Sequence, residues 1–364
     1  MATHAPNPSQ DPKNPQPQGM TRRGFLGTSL AAPLAAAPLL MSLEERALAA
    51  QTPAAAGAAP AKPAAAAPAK PADAGGDKPA KPAARPGDMP MGKIGNVKIS
   101  RLICGGNLIS GYAHSRDLIY VSPLLKHYFS DEKIMETWAL CEEHGVNTMV
   151  AYPGDPRCVK VYLDYIKRGG KMQYLAQIRA TPEDLKTGVS EARDAGAVGA
   201  FLLGNVADKW VRDGAAGRVG EIIGNIEAAG LIAGTAGHEL RVPQAVEKAG
   251  FQPDFYVKTF HSTDYWSKQR PDQTKDVVDN YGCDNYWCQN PPETAAFMAT
   301  VKRPWIAYKV LAAGALKPKA GFRYAFENGA DYVLVGMFDF QIAEDAALTH
   351  DIVAATQKRA RPWA

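Results

Sequence analysis

Two histidines and a glutamate are the residues of this 364-residue sequence that point most directly to chemistry. His238 and Glu239 are adjacent, and His261 follows further along the chain. Two imidazoles and a carboxylate could bind a divalent metal and leave positions open for substrate. They also fit acid–base catalysis, with His238 as general base and Glu239 orienting it. Their spacing matches no diagnostic motif, so a metal site, an acid–base site and a structural role all stay open.

Lys258 and Lys309 form a second candidate group. Burial lowers the pKa of a lysine, which favours Schiff-base chemistry with a carbonyl substrate. On a strand, Lys309 has the same parity as the small residue Ala307, which is compatible with a lysine that points into a barrel. The alternative is structural, with either lysine forming an ion pair with Asp339 or Glu239.

Further polar and aromatic residues are predicted to line the same site. Asp339 is a further catalytic candidate, and the candidates for substrate binding are Asn107, Tyr152, Gln177, Arg179, Asn205, Tyr265 and Trp266. Asp155 and Asp208 belong to the same ring of polar groups that follow predicted strands. Gly314 and Gly336 lie in turns where a phosphate or nucleotide could approach the backbone closely.

These residues need a scaffold, and the pattern from residue 99 onward predicts one. Short β-branched runs alternate with helical patterns, which is typical of βα units and a parallel sheet. The eight strand candidates are 100–105, 147–152, 173–178, 198–203, 231–235, 254–260, 304–310 and 331–336. Eight units of this size predict an α/β fold of the (β/α)8 TIM-barrel type. A doubly wound open sheet is the alternative, but its glycine-rich fingerprint does not follow the first strand.

Two connections are too long for plain turns. They cover residues 107–129 and 261–303, and both are rich in aromatic residues. Because each follows the carboxyl end of a strand, where barrel enzymes build their sites, we expect pocket walls or lids.

The N-terminal region has the features of an export signal. The run TRRGFLG at residues 21–27 precedes an apolar stretch over 28–41, and Ala47-Leu48-Ala49 offers a cleavage site. Paired arginines in this order predict a Tat signal over residues 1–50, recognised by the Tat translocase. The apolar stretch is too short and too rich in proline for a membrane span. The sequence therefore predicts an exported protein in the periplasm or another extracytoplasmic place, without stable membrane insertion.

A spacer follows the signal. Residues 51–90 consist almost entirely of Ala, Pro, Lys, Gly and Asp. Such a segment lacks the apolar side chains that offset ordering entropy, so we expect a disordered linker. The predicted organisation is a signal over 1–50, a linker over 51–90 and a barrel over 91–364.

Charge and cysteine content narrow the function classes. The formal net charge is +4, with +1 from residues 1–50 and +2 from 51–90, so the barrel is near +1. A nearly neutral domain gives no electrostatic argument for nucleic acid, which favours a small-molecule partner. The five cysteines form no disulfide framework, and whether Cys283 and Cys288 pair stays open.

Three segments resemble the aldo-keto reductase superfamily of NADP-linked barrel oxidoreductases. They are VKISRLICGG at 97–106, GVNT at 145–148 and DYVLVGM at 331–337. The resemblance spans residues 94 to about 350 and implies a TIM barrel with a possible NADP(H) site. The family's catalytic Asp, Tyr, Lys and His do not map onto this chain. Their positions fall at Val150, near Asp155, at Gln177-Ile178 and at Gly204-Asn205.

Three functions follow as hypotheses. The first is an exported TIM-barrel enzyme that acts on a small polar carbonyl or carbohydrate-like substrate by lyase- or isomerase-type acid–base chemistry. The second is an NADP-dependent oxidoreductase with a rebuilt catalytic centre, and the third is a non-catalytic ligand-binding barrel. The cofactor stays open between NADP(H) and a divalent metal.

Overall fold

The computed structural model of the protein describes residues 89–112, 120–269, 287–359 and 361–364. The predicted signal and nearly all of the predicted linker lie outside these residues. Eight parallel strands form a closed barrel in which neighbours along the chain pair with each other and the last strand pairs with the first. The predicted α/β fold of the (β/α)8 TIM-barrel type is therefore confirmed. Met89, at the end of the predicted linker, is already buried in the core.

The barrel strands coincide with the eight predicted strands, with ends that differ by at most two residues. They are β3 (Leu102–Cys104), β4 (Thr148–Ala151), β5 (Gln173–Ile178), β6 (Gly199–Leu202), β7 (Ile232–Gly237), β8 (Phe255–Thr259), β9 (Trp305–Tyr308) and β10 (Tyr332–Val335). Alternation of side chains divides each strand between the barrel interior and the surrounding helices. On β8, for example, Val257 belongs to the interior cluster, whereas Tyr256 packs in the outer cluster with helix residues.

Ten α-helices occur in the described part of the chain. They are α1 (Val121–Tyr128), α2 (Asp131–Glu143), α3 (Pro156–Lys167), α4 (Thr187–Asp194), α5 (Gly204–Arg212), α6 (Gly217–Ala228), α7 (Arg241–Ala249), α8 (Pro291–Thr300), α9 (Pro318–Glu327) and α10 (Ile342–Ala355). Ser130 caps α2, because its side chain accepts a hydrogen bond from the Lys133 amide. Among the described residues, no helix is both long and apolar enough to cross a membrane.

A β-hairpin closes the end of the barrel where the strands begin. Its antiparallel strands are β1 (Met91–Ile94) and β2 (Val97–Ser100). Ile94 and Ile99 on these strands join the interior cluster of the barrel, so the hairpin seals the lumen from below. The opposite end, where the strands terminate, is called the mouth here and holds most of the predicted site residues.

Candidate functional site

A histidine–aspartate pair lies at the mouth beside the end of β7. His238 follows β7 directly, and its Nδ1 lies 2.7 Å from Oδ2 of Asp208 on α5. The Asp208 carboxylate also accepts hydrogen bonds from the backbone amides of His238 and Glu239, each at 3.0 Å to Oδ1. Asp208 is fully buried. These contacts fix both the position and the ring orientation of His238.

The surroundings of Asp208 shift the pKa of its carboxyl group. Burial raises the pKa of Asp208 to about 6, while the two backbone amides and the Lys258 and Arg212 charges oppose that shift. With Nδ1 engaged by the carboxylate, proton transfer with a substrate falls to Nε2. A carboxylate behind the ring stabilises the imidazolium that forms when His238 takes a proton.

Tyr308 and Gly204 complete this part of the mouth. The rings of His238 and Tyr308 have centroids 5.4 Å apart. A Cβ on Gly204, the first residue of α5, would lie 2.6 Å from the Tyr308 hydroxyl oxygen and 2.7 Å from Cε1 of His238. The two rings therefore meet against the start of α5 because residue 204 has no side chain. Tyr308 was not among the predicted site residues, since a tyrosine in an apolar strand is typical of a core residue.

Lys309 follows Tyr308 in a strained turn. Its φ is +58°, and Ala312 and Ala313 have φ of +47° and +57° in the same connection. The left-handed region costs a non-glycine residue about 1–2 kcal/mol, and such strain is common at functional sites. The Lys309 ammonium lies 5.9 Å from the Tyr308 ring centroid. Parity with Ala307 does not place Lys309 inside the barrel, because Ala307 packs in the outer cluster.

Glu239 has a different partner from the one expected. The carboxylate that orients His238 is Asp208, whereas Glu239 pairs with Arg212 and lies 3.6 Å from Nε of Arg241. Burial raises the pKa of Glu239, and the Arg212 hydrogen bond opposes this shift. Adjacency in sequence gave the orienting role to Glu239, although the residue that performs it comes from the preceding unit.

Lys258 lies directly behind His238. It leaves β8 on the same face as Tyr256, and its Nζ donates hydrogen bonds to the carbonyls of His238 at 2.6 Å and Thr259 at 2.9 Å. The residue is 2 % exposed. Burial lowers the pKa of Lys258. Because Nζ donates to two main-chain carbonyls of the site, the amino group faces the backbone rather than a substrate. This contact does not favour the Schiff-base hypothesis.

His261 lies beyond the end of β8 and is 1 % exposed. Its Nε2 accepts hydrogen bonds from the Cys288 amide at 3.2 Å and from the Tyr265 hydroxyl at 3.3 Å. Burial lowers the pKa of His261 to about 4, and the Lys258 charge acts in the same direction. His261 is thus a neutral acceptor that ties the end of the long connection to β8. Cys288 is a free, buried thiol, and Cys283 lies outside the described residues.

Several other predicted residues lie at strand ends around the mouth. Gln177 shares parity with the interior residue Leu175 on β5 and is half-buried, while Arg179 beyond it is exposed. The half-buried residues at the remaining strand ends are Asn107, Tyr152 and Asn205. Asp155 caps α3 by accepting a hydrogen bond from the Cys158 amide.

Asp339 and Trp266 lie apart from the His238 pair. The Asp339 carboxylate accepts hydrogen bonds from the Tyr128 hydroxyl at 2.5 Å and from the Lys133 ammonium at 3.0 Å. It therefore pairs with neither Lys258 nor Lys309. Trp266 is 93 % exposed and walls no site among the described residues.

The predicted metal and phosphate sites have little geometric support. In the ranges that the structure describes, no three His, Cys, Asp or Glu side chains are grouped so as to hold a metal ion. A Cβ on Gly336 would lie 2.9 Å from Cγ of Leu108, so that side chain already covers this backbone. Of the two predicted glycines, Gly314 has φ of +88° and a Cβ there would have no atom within 4 Å, so its backbone is not covered in this way. A nucleotide cradle built from both glycines does not fit.

Comparison with known proteins supports the fold and no particular function. No family model and no curated protein matches the chain. A candidate aldo-keto reductase from Pseudomonas aeruginosa has a TM-score of 0.51 at 14 % identity, covering 74 % of this chain and 99 % of that one. A second structure of that description and organism has a TM-score of 0.49 at 14 % identity, over 72 % and 94 %.

A solved structure with a different description is also similar to this chain. A truncated 3-deoxy-D-arabino-heptulosonate 7-phosphate synthase from Thermotoga maritima has a TM-score of 0.45 at 13 % identity, over 74 % and 94 %. The structural neighbours are thus aldo-keto reductases and other TIM-barrel enzymes. The aldo-keto reductase resemblance holds at the level of the barrel, a fold that hosts many unrelated reactions.

Proposed function

We propose that the protein is an enzyme that moves protons on a small polar carbonyl or carbohydrate-like substrate, by lyase- or isomerase-type acid–base chemistry. The observation that carries this proposal is the His238–Asp208 pair, placed at the mouth with Tyr308 against its ring. Barrel enzymes place their reacting groups at this end. The general base needs an oriented imidazole, and Asp208 supplies the orientation.

Each residue has a role in this scheme. Nε2 of His238 takes a proton from the carbon next to the carbonyl, and Asp208 stabilises the imidazolium. The Tyr308 hydroxyl donates its proton to the carbonyl oxygen, which leaves an enediol-type intermediate. The Lys309 charge near the Tyr308 ring favours the phenolate formed in this step. The imidazolium of His238 then protonates the former carbonyl carbon, and the Tyr308 phenolate takes the proton of the hydroxyl on the adjacent carbon, which becomes the new carbonyl and completes an isomerisation.

Proton exchange into candidate substrates tests the proposal. Wild-type protein in D₂O is expected to introduce deuterium next to the carbonyl of a small hydroxyketone or sugar, followed by NMR. His238→Gln should lower this rate by about 10²- to 10⁴-fold, the range typical of a lost general base. Tyr308→Phe should lower it as well, because the carbonyl oxygen loses its proton donor.

A matched control comes from α10. His350 also contacts an aspartate, with Nδ1 3.2 Å from Oδ1 of Asp351, but lies away from the mouth elements. His350→Gln should leave the exchange rate unchanged. Equal rates for wild type and His238→Gln would reject His238 as the base.

A second candidate function is an NADP-dependent oxidoreductase with a rebuilt catalytic centre. The observation in its favour is residue type, since Asp208, His238, Tyr308 and Lys309 bring together the four types of the aldo-keto reductase tetrad at other places in the barrel. The poor fit at Gly336 weighs against it. Quenching of tryptophan fluorescence by NADPH separates the two candidates, because the acid–base enzyme should give no response.

We also propose export by the Tat route to an extracytoplasmic place. The support is the order of the paired arginines at 22 and 23, the apolar stretch and the Ala47-Leu48-Ala49 site in the sequence.

A further inference from the structure

Lys258 is a buried ionisable residue that the proposed proton transfers do not use. The residue is 2 % exposed, and its Nζ donates hydrogen bonds to two carbonyl oxygens. Among the described residues, no carboxylate lies within ion-pair distance of it. Burying an ammonium group costs several kcal/mol unless hydrogen bonds and nearby charge compensate. The position of the compensating groups therefore indicates why a lysine is kept here.

Two of the three compensating groups belong to the His238 site. Cys288 raises the pKa of Lys258 most against the lowering by burial, followed by the Asp208 and Glu239 carboxylates, and Lys258 in turn lowers the pKa of Asp208. His238 is held at three atoms. Asp208 binds its amide and its Nδ1, and Lys258 binds its carbonyl oxygen at 2.6 Å. Lys258 and Asp208 thus bind the two opposite main-chain groups of His238, its carbonyl oxygen and its amide.

We propose that Lys258 is a positioning residue for His238, which fixes the His238 carbonyl and balances the Asp208 carboxylate so that the imidazole rests neutral. The proposal deepens the proposed function, in which His238 is the base. A base must be neutral before it takes a proton, and an unopposed buried carboxylate would instead favour the imidazolium. The role acts through His238 and involves no contact with substrate.

The charges around His238 determine the direction of the expected change. The titratable and charged groups around it are Asp208 and Arg212 on α5, Glu239 after β7, Lys258 and His261 at β8, Cys288 beside His261, and Tyr308 and Lys309 at β9. Arg212 pairs with Glu239, and burial keeps His261 neutral at pH 7. Loss of Lys258 therefore leaves Asp208 as the less opposed charge, which raises the pKa of His238.

Two variants separate charge from hydrogen bonding. Lys258→Met removes both, whereas Lys258→Gln removes the charge and keeps an amide that can donate to a carbonyl. NMR titration of the His238 Cε1–H signal should show a midpoint about one unit higher in both variants. Lys302→Met, at an exposed lysine, is the control and should titrate like wild type. Unchanged midpoints in both variants, or a shift in the Met variant alone, would overturn the charge-balancing role.

The wild-type protein supplies a test that does not depend on the folding of a variant. When pH is raised through the titration of Lys258, followed by its ¹⁵Nζ signal, the His238 Cε1–H signal should move with the same midpoint. Independent behaviour of the two signals would contradict the proposal. Neither measurement uses a substrate. If His238 titrates as expected while His238→Gln keeps full exchange activity, the proposed function fails and the positioning role stands.

Discussion

His238 and His261 follow neighbouring strands, yet their surroundings give them opposite chemistry. His238 has a buried carboxylate on its Nδ1, so the protonated ring has a counter-charge. His261 has an amide and a hydroxyl on its Nε2 and the Lys258 charge nearby, so protonation is unfavourable. Residue type alone does not show whether a histidine is a general base or a structural hydrogen-bond acceptor. The polar group that contacts its imidazole ring does show this.

The pKa of His261 predicts a loss of stability in acid. The folded value of about 4 lies below the ordinary value of 6.5, so the unfolded chain binds the proton more readily. The stabilising contribution is complete above pH 6.5 and is lost as pH falls toward 4, by about 3 kcal/mol in total. His261→Gln keeps an acceptor for the Cys288 amide but does not titrate, so its stability should fall less in acid.

Urea unfolding at pH 7.5 and pH 4.5 measures this difference. His127→Gln, at an exposed histidine, is the control and should show the pH dependence of wild type. If His261→Gln loses as much stability between the two pH values as wild type does, His261 is not a group that must stay neutral.

The sequence predicted most polar residues of the site but not their partnerships. His238, Lys258 and His261 follow strands, and the rule that barrel sites lie at strand ends is enough to find them. Asp208 belonged to the predicted ring, yet its contact with His238 depends on how α5 packs against β7. Tyr308 could not be found, because an alternating apolar strand does not show whether its last aromatic ring has a polar task.

At the level of elements, the start of α5 sets the distance between the two reacting rings. Gly204 begins this helix, and any side chain there would overlap both Tyr308 and His238. Gly204→Ala should therefore displace the two rings and lower the exchange rate at least tenfold. Stability should fall by about 1–3 kcal/mol, because the two rings must move to admit the methyl group.

Gly217 provides the matched control for this prediction. It begins α6, and a Cβ there would have no atom within 4 Å outside its own helix. Gly217→Ala should leave the exchange rate unchanged and keep or raise the melting temperature. Full activity in Gly204→Ala would mean that the ring positions do not depend on the space above α5.

The elements themselves were largely predictable, because each barrel strand is an apolar run between turn signals and each long helix has a buried stripe. The β1–β2 hairpin was not predicted as a separate element, since residues 97–100 form part of the run that resembles an opening strand and residues 91–96 were assigned to no element. Its role depends on the barrel that it seals, through Ile94 and Ile99. Contacts between distant segments are not encoded in local periodicity.

At the level of the whole molecule, the segment after α10 stabilises the end of the barrel opposite the mouth, which is called the lower end here. Asp331, just before β10, is fully buried and binds Arg359 Nη2 at 2.8 Å and Arg361 Nη1 at 2.6 Å. Its carboxylate also accepts the amides of Trp305 and Ala364, each at 3.0 Å. One carboxylate thus joins two strand starts to the final residues of the sequence, at the end opposite the mouth.

This arrangement predicts a large stability effect without an effect on chemistry. Asp331→Asn leaves two buried guanidinium groups without their counter-charge, which costs about 3–5 kcal/mol. For a domain of this size the melting temperature should fall by about 10 °C.

Asp194→Asn removes the exposed partner of Arg193 and should change stability by less than about 1 kcal/mol. At 20 °C the folded Asp331→Asn protein should keep the wild-type exchange rate, because Asp331 and the His238 site lie at opposite ends of the strands. A melting temperature equal to that of wild type would mean that the buried ion pairs do not hold the lower end closed.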